Sequence, residues 1–312
     1  MGNQIRGICI SSHNNSEYHQ VAQLIEQLSP NTRIIDFKDV LQDQTLLDEC
    51  DFMFTIGGDG SVAWLVGTYF DNFHTVKGLK PIVPVVRPES VGYLKQLDLN
   101  PGIFEIGFTQ IMEGHYTVQD RTVLKTTISG KSYVAVNELY LMTSPHLSKF
   151  RVDLKYDNDT YHPMTSTMAD GAMVVTSLGS TGWALSYKGQ ISLDEDALEL
   201  IFVGGVHSSA NFTLPRKPIR LAIELKNETV TQETIDAYHR RRKELRLSQD
   251  KDAEKTLNII YGSRLTADGK VIAFGVDDVE IDSTNSIPFV FLYHETVVDK
   301  ARKLTRFPNV KE

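Results

Sequence analysis

The sequence predicts two domains, a parallel α/β domain followed by a mostly antiparallel β domain, and three observations predict it. Over the first hundred or so residues, short apolar runs alternate with segments of helical period. Farther on, β-branched and aromatic runs are broken by hairpin-type turns. One apolar run, Asp51-Phe52-Met53-Phe54-Thr55-Ile56-Gly57-Gly58-Asp59-Gly60, breaks into glycines around a carboxylate. It then re-enters a helix, which is how open α/β sheets make a ligand crevice beyond a strand's carboxyl end.

The elements follow in order. Ile5-Arg6-Gly7-Ile8-Cys9-Ile10 is a first strand, and Asn14-Asn15-Ser16 is a turn and cap. Val21, Leu24, Ile25 and Leu28 then recur at helical spacing until Ser29-Pro30 stops them. A second strand is expected over 33–37, a short polar helix over 39–50, and a third strand from Asp51. The helix after the glycine turn is expected to begin at Ser61, with Trp64 as a core residue. Without the Lys-Ser/Thr of a Walker A loop, what the turn offers is Asp59, flanked by glycines that let backbone and ligand approach closely. A fourth strand spans 81–87 and runs into Pro88-Glu89-Ser90-Val91-Gly92-Tyr93-Leu94 at the same sheet edge. The β-α-β-α-β order implies a Rossmann-like parallel sheet with right-handed crossovers.

A helix over 103–113 closes this part. Ser129-Gly130-Lys131, Asp157-Asn158-Asp159 and Ala267-Asp268-Gly269-Lys270 then punctuate a β-sandwich-like second domain. The expected division is 1–110 for the α/β domain and 111–290 for the β domain, with 291–312 returning to the first. Within the second lies a polar, helix-favouring insertion over 229–257 that contains His239-Arg240-Arg241-Arg242-Lys243. Its acidic neighbours bring it close to neutrality, so it reads as a solvated face.

At 312 residues and 41% hydrophobic content the chain can bury one or two full cores. A formal net charge of −8 argues against nucleic acid as a partner and for a small-molecule ligand. Cys9 and Cys50 alone allow neither a disulfide framework nor a cysteine metal site, and no metal ligands are assigned. No apolar run approaches the ~20 residues of a membrane span, and no leader pattern opens the chain. Cytoplasm is the expected location. His207 with Ser208-Ser209 has no third partner or elbow motif and reads as a loop histidine, while His13 stands near the first strand's end.

Two further motifs carry chemistry. Asn137-Glu138 follows the strand-like Tyr133-Val134-Ala135-Val136. Farther on, Asp170-Gly171 opens a strand that enters Gly179-Ser180-Thr181-Gly182-Trp183, ahead of Ser186. Its amides and hydroxyls can bind anions at the start of a helix, and Trp183 offers an aromatic face to a nucleotide base. Asp170 can accept from ribose hydroxyls or an amine.

GGDG, then Asn-Glu, then DG followed by GST and an aromatic, in this order, resemble the NAD kinase family. Segments between them extend the resemblance: Pro81-Ile82-Val83 with Val91-Gly92-Tyr93-Leu94, Asp120-Arg121-Thr122-Val123-Leu124, Arg216-Lys217-Pro218-Ile219 and, weakly, Val276-Asp277-Asp278. The resemblance implies an α/β domain and a β-rich domain with the site between them, often completed by a neighbouring subunit, hence a homo-oligomer. It implies ATP as phosphate donor with a divalent ion, Mg²⁺. It matches Asp59 to the aspartate that activates the adenosine 2′-hydroxyl of NAD, with Gly58 and Gly60 beside the substrate. Asn137 and Glu138 match the pair that holds the acceptor, and Asp170 matches a contact on the nicotinamide side. Thr181, Gly182, Trp183 and Ser186 match the loop on the nucleotide, and Tyr93 matches an aromatic of the Leu-Gly-Phe-Leu turn. Gly57, Arg87 and Ser180 are candidate phosphate contacts.

The chain departs from the family where Val85-Val86-Arg87-Pro88-Glu89 replaces a Gly-Ile-Asn-x-Gly turn and where Trp183 stands for the usual Tyr. Those departures keep two alternatives open: a kinase for another hydroxyl acceptor, such as a sugar or nucleoside, and a non-catalytic nucleotide sensor.

Overall fold

The computed structural model describes residues 5–87, 94–144, 148–156, 159–192, 194–205, 211–225 and 262–292. Tyr93, His207, most of the 88–94 turn, the 229–257 insertion and nearly all of the 291–312 segment lie outside the described residues.

The first unit opens with β1 (Gly7–Ser12), α1 (Asn15–Leu28), β2 (Arg33–Asp36) and α2 (Phe37–Val40). A 3₁₀ turn (Gln44–Glu49), β3 (Phe52–Ile56), α3 (Asp59–Phe73), β4 (Ile82–Val86), β5 (Leu97–Asp98), α4 (Pro101–Met112) and β6 (Thr117–Thr122) follow. α1 begins where the Asn14 side chain accepts the Ser16 N–H at 2.9 Å, a cap that contributes about 1 kcal/mol. It buries Val21 and Ile25. In place of the helix expected over 39–50 there are two short pieces, because the Asp36 and Asp43 side chains each cap a new turn and break the segment. α3 starts at Asp59, two residues ahead of the sequence reading.

The second unit holds β7 (Leu124–Ile128), β8 (Lys131–Ala135), β9 (Glu138–Ser144), β10 (Ser148–Lys155), β11 (Tyr161–Ala169) and β12 (Gly171–Val175). A 3₁₀ turn (Leu178–Thr181) and α5 (Trp183–Ser186) lead on to β13 (Ala197–Val203), β14 (Phe212–Pro215), β15 (Ile219–Leu225), β16 (Gly262–Ala267), β17 (Lys270–Phe274) and β18 (Asp278–Asp282). The last described strand, β19 (Ser286–Phe291), returns to the first unit.

In the first unit the sheet runs β2-β1-β3-β4-β19-β6, with β5 also on β4. The pairs among β1 to β5 are parallel, and β6 is antiparallel to β19. β3 and β4 are buried at every position, as strands covered on both faces must be. The two compact units are Met1–Val123 with Ile191–Glu195 and Asn285–Glu312, and Leu124–Gln190 with Asp196–Thr284. The division falls after β6, later than the 110/111 boundary read from sequence. The reason is the pairing of β6 with β19 over Ser286↔Thr122 to Phe291↔Thr117, a partnership that spans the whole β domain in sequence.

The second unit is two six-stranded sheets, β11-β10-β15-β18-β7-β8 and β14-β13-β12-β9-β16-β17, antiparallel at every pair. Leu139, Leu141, Ala172, Val174 and Leu200 of one sheet join Phe150, Val152, Leu221 and Ile281 of the other in one buried core. By alternation, Tyr140, Met173, Val175 and Ile201 face outward, and Ala184 of α5 covers them.

Candidate active site

Asp59 is placed by a turn that glycine makes possible. Gly57 sits at φ 141°, and a Cβ there would lie 2.0 Å from Ser61 Oγ. Its N–H donates to the Val85 carbonyl at 2.9 Å, so the chain leaves the sheet in register with β4. Gly58 is the N-cap of α3 and offers no side-chain cap; the Ser61 N–H closes the first turn on its carbonyl. The Asp59 carboxylate is half-buried in that first turn, and its Oδ1 accepts the Leu94 N–H at 3.1 Å. Gly60 is exposed, and among the described residues nothing lies within 4 Å of where its Cβ would stand. Among the described residues, neither backbone strain nor packing requires glycine at 60. Arg87, at the end of β4, is held by Glu17 of α1, with Nε to Oε1 at 2.5 Å and Nη2 to Oε2 at 3.1 Å. His13 packs against Trp64 at 4.1 Å between ring centroids with the rings tilted by 57°, and Trp64 is 37% exposed, so the sequence reading of Trp64 as core gives way to a partly open aromatic pair.

In the second unit three loops meet at the junction of β8 and β9, where Asn137-Glu138 stands. From one side Thr176, at the end of β12, donates its hydroxyl to the Val136 carbonyl at 2.6 Å and its N–H to the Asn137 carbonyl at 2.9 Å. Gly179 packs so close that a Cβ would lie 2.3 Å from the Asn137 carbonyl oxygen. From the other side comes the turn between β16 and β17. Its Asp268 carboxylate accepts the N–H groups of Val136, Asn137 and Glu138 at 2.9, 2.7 and 3.3 Å. Glu138 is buried, and burial first, then the charge of Asp268, push its carboxyl up to about 7, against a lowering by the Gly269 N–H that it accepts. Asp268 is raised as well, by burial.

The Gly-Ser-Thr-Gly stretch differs from the expected helix start. Ser180 and Thr181 are buried in a 3₁₀ turn, the Ser180 hydroxyl donating to the Ser177 carbonyl at 2.7 Å. The helix after it, α5, has only four residues and so little dipole to offer an anion. Its exposed side presents Gly182, Trp183 and Ser186, with Trp183 48% exposed. Asp170 is exposed at the β11–β12 turn; its carboxylate occupies the space a Cβ of Gly204 would need, 2.3 Å from Oδ2. Tyr140 lies beneath, near Asp170 and Tyr187, its phenol raised by burial.

Asp268 is the residue that sequence reading missed at this junction. Asp268-Gly269 carries a hairpin signal that conceals a second use of the carboxylate. Val276-Asp277-Asp278, the weak match, is engaged elsewhere: Asp277 accepts from Ser263 and Asp278 holds Arg220. Among the described residues no group of three or more His, Cys, Asp or Glu could hold a metal ion, and no helix is long and apolar enough to cross a membrane.

No family model matches the chain. It is 29% identical over 191 residues to a NAD kinase of Buchnera aphidicola, an alignment covering 59% of this chain and 58% of that protein. It is 24% identical over 218 residues to a NAD kinase of Saccharolobus islandicus, covering 69% and 78%. Among solved structures, a NAD kinase from Archaeoglobus fulgidus in complex with ATP superposes with a TM-score of 0.64 at 16% identity, over 95% of this chain and 99% of that one. A yeast NADH kinase complexed with NADH gives 0.67 at 18%, over 99% and 90%. The chain thus has their two-part α/β and β-sandwich fold and is similar in sequence to proteins named NAD kinase, spanning 58% of the length of the Buchnera protein.

Proposed function

We propose that this chain is an ATP-dependent kinase that phosphorylates the adenosine 2′-hydroxyl of NAD, releasing NADP and ADP. The observation that carries the reading is Asp59, a carboxylate held at a glycine turn in the first turn of α3, in a chain similar to proteins named NAD kinase. In this reading Asp59 takes the proton of the 2′-hydroxyl as its oxygen bonds to the γ-phosphorus. The bond from that phosphorus to the β–γ bridging oxygen breaks, and ADP leaves. Mg²⁺ enters with ATP as part of the substrate, since it keeps phosphate oxygens and waters as ligands and needs one or two carboxylates at most. Asn137 and Glu138 hold and orient the acceptor. Trp183 gives the nucleotide a face to pack on, and Thr181, Gly182 and Ser186 belong with it to the loop that holds the nucleotide. Gly60 supports the reading, because the described fold itself does not ask for glycine there and a closely approaching ligand does. Arg87 is a weaker candidate for a phosphate contact, being engaged by Glu17. A homo-oligomer, dimer or tetramer, working in the cytoplasm completes the reading.

The test is purified full-length chain with ATP, Mg²⁺ and, in turn, NAD, NADH, sugars and nucleosides, read as ADP release and as NADP or NADPH formed. NADP formation is expected. Similarity to the yeast NADH kinase makes NADH the second acceptor to try. ADP release with a sugar or nucleoside alone overturns the acceptor, and nucleotide binding without any ADP release overturns the kinase.

A further inference from the structure

The turn between β16 and β17 does more than reverse the chain. Asp268 and Gly269 have φ of 48° and 75°, a backbone that Asn-Gly or Gly-Gly serves equally well. The turn therefore does not need a carboxylate. Both carboxylate oxygens are used 130 to 132 positions away, where Val136, Asn137 and Glu138 aim three successive N–H groups at one point. Successive amides converging in this way form an anion-binding nest. Here the chain supplies its own anion. The tie runs both ways, since the Asp268 N–H donates to the Glu138 carbonyl at 3.1 Å and the Gly269 N–H donates to the Glu138 carboxylate. Thr176 and Gly179 hold the opposite side of the same peptide units.

We propose that Asp268 is a positioning residue for Asn137 and Glu138: its carboxylate fills the nest formed by their amides and so sets where both side chains stand when they meet the acceptor. This rests on the reading of Asn137 and Glu138 as the acceptor-holding pair. Asp268 touches no substrate and acts through them.

Asp268→Asn and Asp268→Gly keep a residue suited to positive φ and remove the anion. Both are expected to raise KM for NAD by about tenfold to 10²-fold while kcat changes less, because misplacement falls on groups that bind the acceptor. Formate, a free carboxylate that fits the vacated nest, is expected to lower KM again in Asp268→Gly and to leave the native chain unchanged. With the neighbouring charge gone, Glu138 in Asp268→Asn is expected to titrate at lower pH, read by carboxyl NMR or infrared. A folded Asp268→Asn with native KM and native Glu138 titration overturns the proposal, as does a KM defect in Asp268→Gly that formate leaves untouched. If Asp268→Gly does not fold, Asp268→Asn carries the test alone. If the native chain phosphorylates no NAD, the proposed function falls, while the Glu138 titration and a formate-dependent Tm of Asp268→Gly still decide whether Asp268 holds this junction.

Discussion

The glycine turn of the first unit and the Asn137-Glu138 junction of the second each present a carboxylate, and they are built in opposite ways. Gly57 to Gly60 take their shape from consecutive residues, with one strand neighbour, Val85, fixing the exit from the sheet. Asn137 and Glu138 are held by residues 39 to 131 positions away in sequence. A local turn fails one residue at a time, whereas a junction clamped from two sides fails through its partners. The local turn also leaves Asp59 half-buried, while the clamp buries Glu138 and shifts its proton affinity.

The largest expected effect falls on the local turn. Asp59→Asn keeps the size of the side chain and removes the proposed base, and should cost at least ~10²-fold in turnover with near-UV circular dichroism unchanged. Native turnover in that variant would end the role given to Asp59.

Next comes the pH dependence of the clamp. The folded carboxyl of Glu138 is raised from 4.5 to about 7. Its protonated form is favoured by folding, so its contribution is fully present below pH 4.5 and is lost as pH rises to 7 and above. Glu138→Gln removes that loss, and urea unfolding should find the variant more stable than the native chain at pH 8 by on the order of 3 kcal/mol, with little difference near pH 4.5. A difference that does not change with pH would mean that Glu138 is not held as described.

The two outer glycines of the GGDG turn separate fold from function. Gly57→Ala forces φ 141° on an L residue and crowds Ser61 Oγ, and should destabilise by about 1–3 kcal/mol. Adding Ser61→Ala should recover part of that loss by removing the hydroxyl. Gly60→Ala lies in a helix, with no described residue beyond that helix against the added Cβ, and should stabilise by about 0.5–1 kcal/mol while lowering turnover. A Gly60→Ala chain with native kinetics would show that no ligand approaches there.

The smallest effect belongs to Arg87→Ala. The Arg87–Glu17 pair is 52% exposed on the arginine side and should contribute less than about 1 kcal/mol. A rise in KM for ATP in that variant would move Arg87 from a surface tie to a phosphate contact.

How much was legible follows the same division. α1, with its Asn14 cap and stop at Ser29, and the buried runs of β3 and β4 are written in local periodicity and cap chemistry. Two-residue β5 is too short to carry a period, and β6 reads as part of the β domain until β19 returns to pair with it. Asp59, Asn137 and Glu138 stand out as residues in a motif order. Asp268 does not, because an Asp-Gly hairpin has the same local signal whether or not its carboxylate serves a distant strand.

By itself the sequence determined the order of most elements and the α/β-then-β division, which depend on neighbours within a few positions, and it offered Asp59, Asn137 and Glu138 as the candidate site residues through the order of their motifs. Only the tertiary structure decided that β19 enters the first sheet between β4 and β6 and that Gly179-Ser180-Thr181 lie in a buried 3₁₀ turn. It alone brought Asp268 under Asn137 and Glu138. Those outcomes depend on strand pairing and hydrogen bonds between residues far apart in the chain, and no local pattern records which partner a strand edge or a carboxylate will find.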